Sequence, residues 1–204
     1  MNLNVDNILI IGLGMIGSSI ALASKSKGIK VYGFDKSNDY TKEALEKNII
    51  DSKVESIENI NSKDFVKKVD LIIVSVPPKQ TLDVLNNLKN IWNTDVTITD
   101  TSSVKNHIKL TDVSNIVLSH PIAGSDQSGI PAANGDLFKN KKNVLCDPFK
   151  SKKGHFEKVD NFWKNALQMR TSSMTVSEHD LVFAMTSHLP HLVSYALILS
   201  LIHI

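Results

Sequence analysis

Ile8-Leu9-Ile10-Ile11-Gly12-Leu13-Gly14-Met15-Ile16-Gly17, a helical segment to about Lys27, and then Lys30-Val31-Tyr32-Gly33-Phe34-Asp35 decide how this chain folds. An apolar strand, three glycines spaced as G-x-G-x-x-G, a helix and a second strand closed by an acid form the pattern of a dinucleotide-binding βαβ unit. Gly12 allows the tight turn, Gly14 lets a diphosphate approach the backbone, and Gly17 lets helix and strand pack closely. The unpaired amides of the first helical turn, at Met15 and Ile16, then face the phosphates. Asp35 is placed to accept hydrogen bonds from an adenosine ribose and to repel the extra phosphate of NADP, so the expected cofactor is NAD. Lys36 next to it would help a phosphate and so favours NADP. FAD and a glycine loop that serves packing alone are the competing readings.

The 204 residues suffice for one Rossmann-type domain and part of a second element, but are short for a two-domain dehydrogenase. A formal net charge of +2, from 23 basic and 21 acidic residues, with no basic patch interleaved with aromatics, argues against a nucleic-acid partner. The single cysteine, Cys146, lies in a strand-like run and reads as a buried thiol. The N-terminal apolar residues already belong to the first strand, so a cytoplasmic location is expected.

Along the chain, Ile16, Ile20 and Ala23 recur at helical spacing, with Gly28 as a cap. A helix from about Tyr40 to Lys47 and a short strand near Val54 come next. Leu71 to Val76 reads as a parallel strand covered on both faces, stopped by Pro77 and Pro78. The loop from Ser75 to Pro78 either lies against a dinucleotide or is a structural turn. Thr81 to Leu88 reads as a helix and Val96 to Thr99 as a strand. Asp100, Thr101, Ser102 and Ser103 then either cap a helix beginning near Val104 or reach a substrate. Asn115 to Ser119 is a strand that delivers His120 into a Pro-Ile-Ala-Gly loop, on the face where open α/β sheets place ligands. His120 is either a structural histidine or an acid/base group. A short helix at Asp136 to Phe138, a helix from Phe156 to Leu167 and a strand from Met169 to Val176 complete this half. Ser177 is expected to cap the next helix, with His179 and Asp180 in its first turn.

From Leu181 onward there is no Lys, Arg, Asp or Glu. Ser187, His188, Pro190, His191 and His203 make a membrane span unattractive. Pro190 is expected to separate a helix ending near Thr186 from one starting near Leu189. The segment from Leu192 to Ile204 is apolar on nearly every side and must be buried by something, either a partner subunit or the rest of a longer protein. The expected architecture is therefore α/β, a Rossmann-type NAD-binding domain with a mostly parallel sheet over residues 1–176. The start of an all-helical part over 177–204 comes after it.

Three segments together resemble the prephenate and arogenate dehydrogenases of tyrosine biosynthesis. They are the glycine loop with Asp35; Asp100-Thr101-Ser102-Ser103-Val104-Lys105 followed by Ser119-His120-Pro121-Ile122-Ala123-Gly124-Ser125-Asp126-Gln127-Ser128-Gly129; and His179-Asp180 with Ser187-His188-Leu189-Pro190-His191. The resemblance spans essentially the whole chain. It implies NAD-dependent oxidative decarboxylation of prephenate to 4-hydroxyphenylpyruvate, or of arogenate to tyrosine. His120 matches the histidine that bonds the ring hydroxyl, and Ser103 the serine that contacts that hydroxyl and helps orient the histidine. His191 matches a substrate-binding histidine, while His179 and Ser187 match polar residues of the same cleft. In the cofactor site, Ser75 and Pro77 join Gly12, Gly14, Met15, Ile16, Gly17 and Asp35. The family's helical second domain forms a homodimer and contributes arginines to the substrate carboxylates.

Two departures stand out. Asp126 occupies a position where glutamate is common, which shortens any substrate contact by one methylene. The sequence has one arginine, Arg170, in an expected strand, so a dianionic substrate lacks a planar cationic clamp. Another β-hydroxyacid-type dehydrogenase and a non-catalytic NAD-binding fragment that docks on a partner are the alternatives.

Overall fold

The computed structural model describes residues 5–152 and 154–201. The first half alternates β1 (Asn7–Ile11), α1 (Met15–Lys25), β2 (Lys30–Phe34), α2 (Asn38–Glu46) and β3 (Ser52–Lys53). Two single-turn helices, α3 (Ile57–Ile60) and α4 (Lys63–Val66), lead to β4 (Leu71–Val74), α5 (Pro78–Asn87) and β5 (Thr97–Asp100). The second half holds β6 (Ile116–Ile122), β7 (Lys142–Cys146), α6 (His155–Asn161), β8 (Arg170–Ser173), α7 (Val176–Phe183) and α8 (Leu189–Leu201).

The strands form one sheet in the order β3-β2-β1-β4-β5-β6-β7-β8. β1 to β6 run parallel, β7 pairs antiparallel with β6, and β8 runs parallel to β7. Both faces are covered, so Ile8 to Ile11 of β1 and Leu71 to Val74 of β4 are continuous apolar runs. Ile8 and Ile10 of β1 join α1 and Trp163 in one core, while Leu9 and Ile11 face Leu85 of α5 in the other. The result is the Rossmann-type α/β fold, mostly parallel, followed by C-terminal helices.

Chain order reverses between β1 and β4, and their carboxyl ends part there to leave a crevice. Gly12, at φ +97°, leads out of β1, and a Cβ on it would lie 2.3 Å from the carbonyl oxygen of Ser75. A Cβ on Gly17 would lie 1.9 Å from the carbonyl oxygen of Gly12. Two of the three glycines are thus required by backbone crowding alone.

Several expectations need correction. The helix expected near Val104 is absent, because Ser102 turns the chain back on itself by bonding Asp100 and the Val104 carbonyl. β6 does not stop at Ser119 but runs through His120 and Pro121 to Ile122. Pro121 is tolerated because Ser119 directs its N–H and carbonyl toward β5, so Pro121, two residues on, has its missing N–H on that side too. The β5 ladder has already ended at Val117. Residues 136–138 form a turn, and the short 3₁₀ helix of this region lies at Ile130–Ala132.

Pro78 does not merely stop β4 but opens α5 at its first position, where the lost N–H costs nothing. Thr175, not Ser177, caps α7, in a reciprocal box with Glu178. Pro190 does not break the C-terminal helix. A π-helical turn, Ala184–His188, joins α7 to α8, and Pro190 is the second residue of α8. The expected helix from Leu192 is described to Leu201, and residues 202–204 of that expectation lie outside the described residues.

The glycine geometry gives a test. Gly17→Ala is expected to cost at least about 2 kcal/mol in urea unfolding, because its new methyl meets backbone that cannot rotate away. Gly14→Ala, with nothing within 4 Å of the added Cβ, is expected to change stability by less than about 1 kcal/mol.

Candidate active site

Two connected hollows run along the carboxyl ends of the parallel strands. One, of about 430 Å³, is lined by Gly12, Phe34, Asp35, Lys36 and Val84. The other, of about 480 Å³, is lined by Met15, Ile16, Ser102, Ser103, His120 and Gln127. Gly14, Tyr40, Ser75, Val76 and Pro77 border both, so the two form one elongated cleft.

The first hollow and the glycine loop fit a dinucleotide. Space is open in front of Gly14, and no side chain caps the first turn of α1, which leaves its amides for an anion. Asp35 accepts hydrogen bonds from the amides of Leu13 (2.7 Å) and Ser37 (2.9 Å). The carboxylate thereby fastens the glycine loop while it lines the cleft, and each oxygen keeps a second lone pair for a ribose hydroxyl. Thr101 donates to the Ser75 hydroxyl at 3.2 Å, joining the ends of β4 and β5 beneath the cleft.

In the second hollow His120 projects from β6 on the same face as Leu118. Its Nδ1 lies 2.9 Å from Nε2 of His179, and His179 Nδ1 lies 2.7 Å from Oδ1 of Asp180. Phe183, one turn further along α7, packs on both rings, with centroids 4.6 Å from His120 and 4.7 Å from His179. Asp180 also accepts the amides of Lys105 (2.9 Å) and Asn106 (2.8 Å), which fixes α7 to the loop after β5.

Beneath this cluster Lys105 is fully buried against Asp100. Its ammonium meets three acceptors, both carboxylate oxygens of Asp100 and the Ser119 carbonyl. Three acceptors match the three N–H groups of a charged lysine. Burial pushes the ammonium's pKa down, and the neighbouring Asp100 carboxylate opposes that shift. Asp100 also accepts the Ser119 amide, and the Ser119 hydroxyl takes the indole N–H of Trp163. The residue preceding His120 is thus held by both its backbone and its side chain.

Desolvation, then the positive charge of Lys105, lowers the pKa of His120 to about 3. His179 is shifted downward as well, chiefly by burial. Both imidazoles are therefore neutral near pH 7, and a neutral ring can accept a proton. Cys146, buried and raised to about 11, is no nucleophile.

The residues singled out in the sequence are not all brought together. Gly12, Gly14, Met15, Ile16, Asp35, Ser75, Pro77, Ser103 and His120 line the cleft, and Gly17 supports the loop from behind. Ser103 shares the cleft wall with His120, but His179 is the residue that holds the His120 ring. Asp126 is exposed and bonded to Ser125, Ser187 lies in the π turn, and His191 is exposed on α8; none of the three lines the cleft. Arg170 is exposed and bonds the Asn140 carbonyl. Sequence reasoning missed the buried Asp100–Lys105 pair and the role of Asp180. The only signal for the pair was an acid at a strand end with a lysine five residues on.

A glycine-loop crevice at the reversal of strand order, open to a histidine on a neighbouring strand, defines a dinucleotide-binding protein of the Rossmann class. The family described as prephenate dehydrogenase, nucleotide-binding domain, matches residues 20–169. Prephenate dehydrogenase of Bacillus subtilis (strain 168) is 34% identical over 209 residues, an alignment covering 97% of this chain and 54% of that protein. Cyclohexadienyl dehydrogenase of Zymomonas mobilis is 33% identical, with 94% and 66% covered. The crystal structure of prephenate dehydrogenase from Aquifex aeolicus in complex with hydroxyphenyl propionate and NAD+ is 31% identical, with a TM-score of 0.88. That match covers 100% of this chain and 72% of that one. The chain belongs to the prephenate dehydrogenase family, and it spans about half to two thirds of the length of these curated relatives.

The histidine shift predicts an acid sensitivity. His120 binds its proton near pH 6.5 when unfolded and near 3 when folded, so the unfolded state holds more protons between these values. The stability this group contributes is complete above about pH 6.5 and is lost as pH falls toward 3. His120→Gln is expected to flatten that part of the curve of unfolding free energy against pH. An unchanged slope would contradict the buried, neutral assignment.

Proposed function

We propose that this chain is the catalytic half of an NAD-dependent dehydrogenase that decarboxylates prephenate, or arogenate, as it oxidises it. The observation that carries the reading is a neutral His120 on the wall of the same cleft that the glycine loop and Asp35 open. The family match and the NAD+ and hydroxyphenyl propionate of the Aquifex aeolicus relative support the choice of cofactor and of substrate class. NAD, when bound, supplies the hydride acceptor. His120 accepts the hydrogen of the ring hydroxyl as that carbon loses hydride, while the ring carboxylate leaves as carbon dioxide and its bonding electrons make the ring aromatic. Ser103, on the same wall, orients the hydroxyl. Asp35 selects NAD against NADP by charge, with Lys36 beside it as the opposing influence.

In this reading residues 1–176 form the dinucleotide-binding domain and 177–204 begin a helical substrate and dimerisation domain. His191, Ser187 and Asp126 approach the substrate only when the partner surfaces are assembled. A cytoplasmic location accords with this reading.

The fitting test is reduction of NAD and NADP by the 204-residue chain offered prephenate and arogenate in parallel. Turnover with NAD is expected, and His120→Asn is expected to lower kcat by about 10²- to 10⁴-fold while leaving nucleotide binding intact. Nucleotide binding without turnover by a folded chain would favour the reading of a cofactor-binding fragment that docks on a partner.

The partner proposed for α8 is a second copy of this chain. Leu192 is 66% exposed and Tyr195 65%, within an apolar face that continues to Leu201. The helical stretch Val176–Leu201, 26 residues, is by length and composition long and apolar enough to cross a membrane. Its first turns are committed to the cleft through His179 and Asp180, however, which favours a protein partner for the rest. Sedimentation in detergent-free buffer is expected to give a dimer, and Leu192→Glu with Leu199→Glu a monomer. Partition into vesicles with no dimer would overturn this.

A further inference from the structure

His179 matches a cleft residue by sequence, but its position gives it a different task. Its side chain is fully buried, and both ring nitrogens are already engaged, Nε2 with His120 and Nδ1 with Asp180. No ring nitrogen remains to meet a substrate.

The hydrogen bonds can be traced from one end. Asp180 accepts two backbone amides, from Lys105 and Asn106, which hold its carboxylate in place and in its ionised form. The same carboxylate faces His179 Nδ1, so that nitrogen must carry the proton. In a neutral ring the other nitrogen, Nε2, then has only a lone pair. The 2.9 Å contact between the rings needs one hydrogen, and it comes from His120 Nδ1. His120 is left with its lone pair on Nε2, the one nitrogen free to meet whatever enters the cleft.

We propose that His179 and Asp180 are positioning residues that fix His120 in its Nδ1–H tautomer and so aim a basic Nε2 into the cleft. Phe183 completes the clamp by packing on both rings. The consequence for assembly is specific. The base belongs to the sheet, but the groups that set its tautomer belong to α7, so His120 is prepared only while α7 is docked on the loop after β5.

This inference rests on the reading of His120 as a base, but it can be tested separately. Long-range ¹H–¹⁵N correlation of the imidazoles in the ligand-free 204-residue chain reads the tautomer directly. Wild type is expected to show His120 and His179 both protonated on Nδ1. His120→Gln identifies its resonances, and His179→Ala is expected to move His120 toward the Nε2–H form. In turnover, His179→Ala is expected to lower kcat by about 10²-fold or more with KM little changed, and Asp180→Ala to act in the same direction.

A wild-type His120 protonated on Nε2 overturns the proposal whatever the activity. So does a His179→Ala variant that raises KM and leaves kcat alone, which would return His179 to substrate contact. If the alanine variant does not fold, the wild-type spectrum still decides. A wild type with the expected tautomers but no turnover on prephenate or arogenate removes the functional reading and leaves the positioning intact.

Discussion

The buried ion pair between Lys105 and Asp100 is the constraint on which the rest of the site depends. A lysine in the interior of an α/β sheet is costly, since its ammonium leaves water, and it is tolerated only where every N–H finds an acceptor. Here the acceptors are the last residue of β5 and the backbone of β6 just before His120. The pair replaces the strand ladder that ends at Val117 and carries β6 onward to present His120. Its positive charge also bears on that imidazole, which helps to keep it neutral. One interaction thus sets the length of a strand, the place of His120 and part of the electrostatics of its ring.

Around it, the two halves of the cleft are built by different means. The cofactor half is backbone crowding: glycine turns too tight for a Cβ, and a carboxylate, Asp35, fastened to the amides of the loop it overlooks. The other half is a side-chain assembly that no single element supplies. It takes His120 from β6, His179, Asp180 and Phe183 from α7, and two amides from the loop after β5. Such an assembly is specific because each member uses the hydrogen-bonding capacity of the next.

The same distinction decides how much of this was legible in the sequence. The β1-α1-β2 unit could be read directly, since local periodicity and glycine spacing determine it, and Asp35 fell where the pattern placed it. His120 stood out by its neighbours Pro121 to Gly124, but those neighbours also suggested too early an end to its strand. Pro121 reads as a stop unless one knows that its missing N–H faces a position with no strand. Lys105 stood only as the last residue of a motif, because nothing local shows that Asp100 and the Ser119 carbonyl converge on it. His179 and Asp180 are adjacent in sequence, but the ring they serve is 59 residues from His179. Contacts of that range are invisible to periodicity. The helix expected near Val104 failed for a related reason, since the side chain of Ser102 holds the Val104 carbonyl that would have opened the helical ladder.

The π turn at Ala184–His188 gives the C-terminal helix a defined angular phase. Along an α-helix each residue advances the side-chain direction by about 100°, so the wide turn sets which edge of α8 lies in line with Phe183 and which faces away. Removing one residue from it would turn α8 by about a quarter revolution against α7 and draw it in by about 1.5 Å. The histidine clamp would be untouched, while the apolar face from Leu192 to Leu201 would point in a new direction. The turn acts as the joint that relates the orientation of the site to that of the surface beyond it.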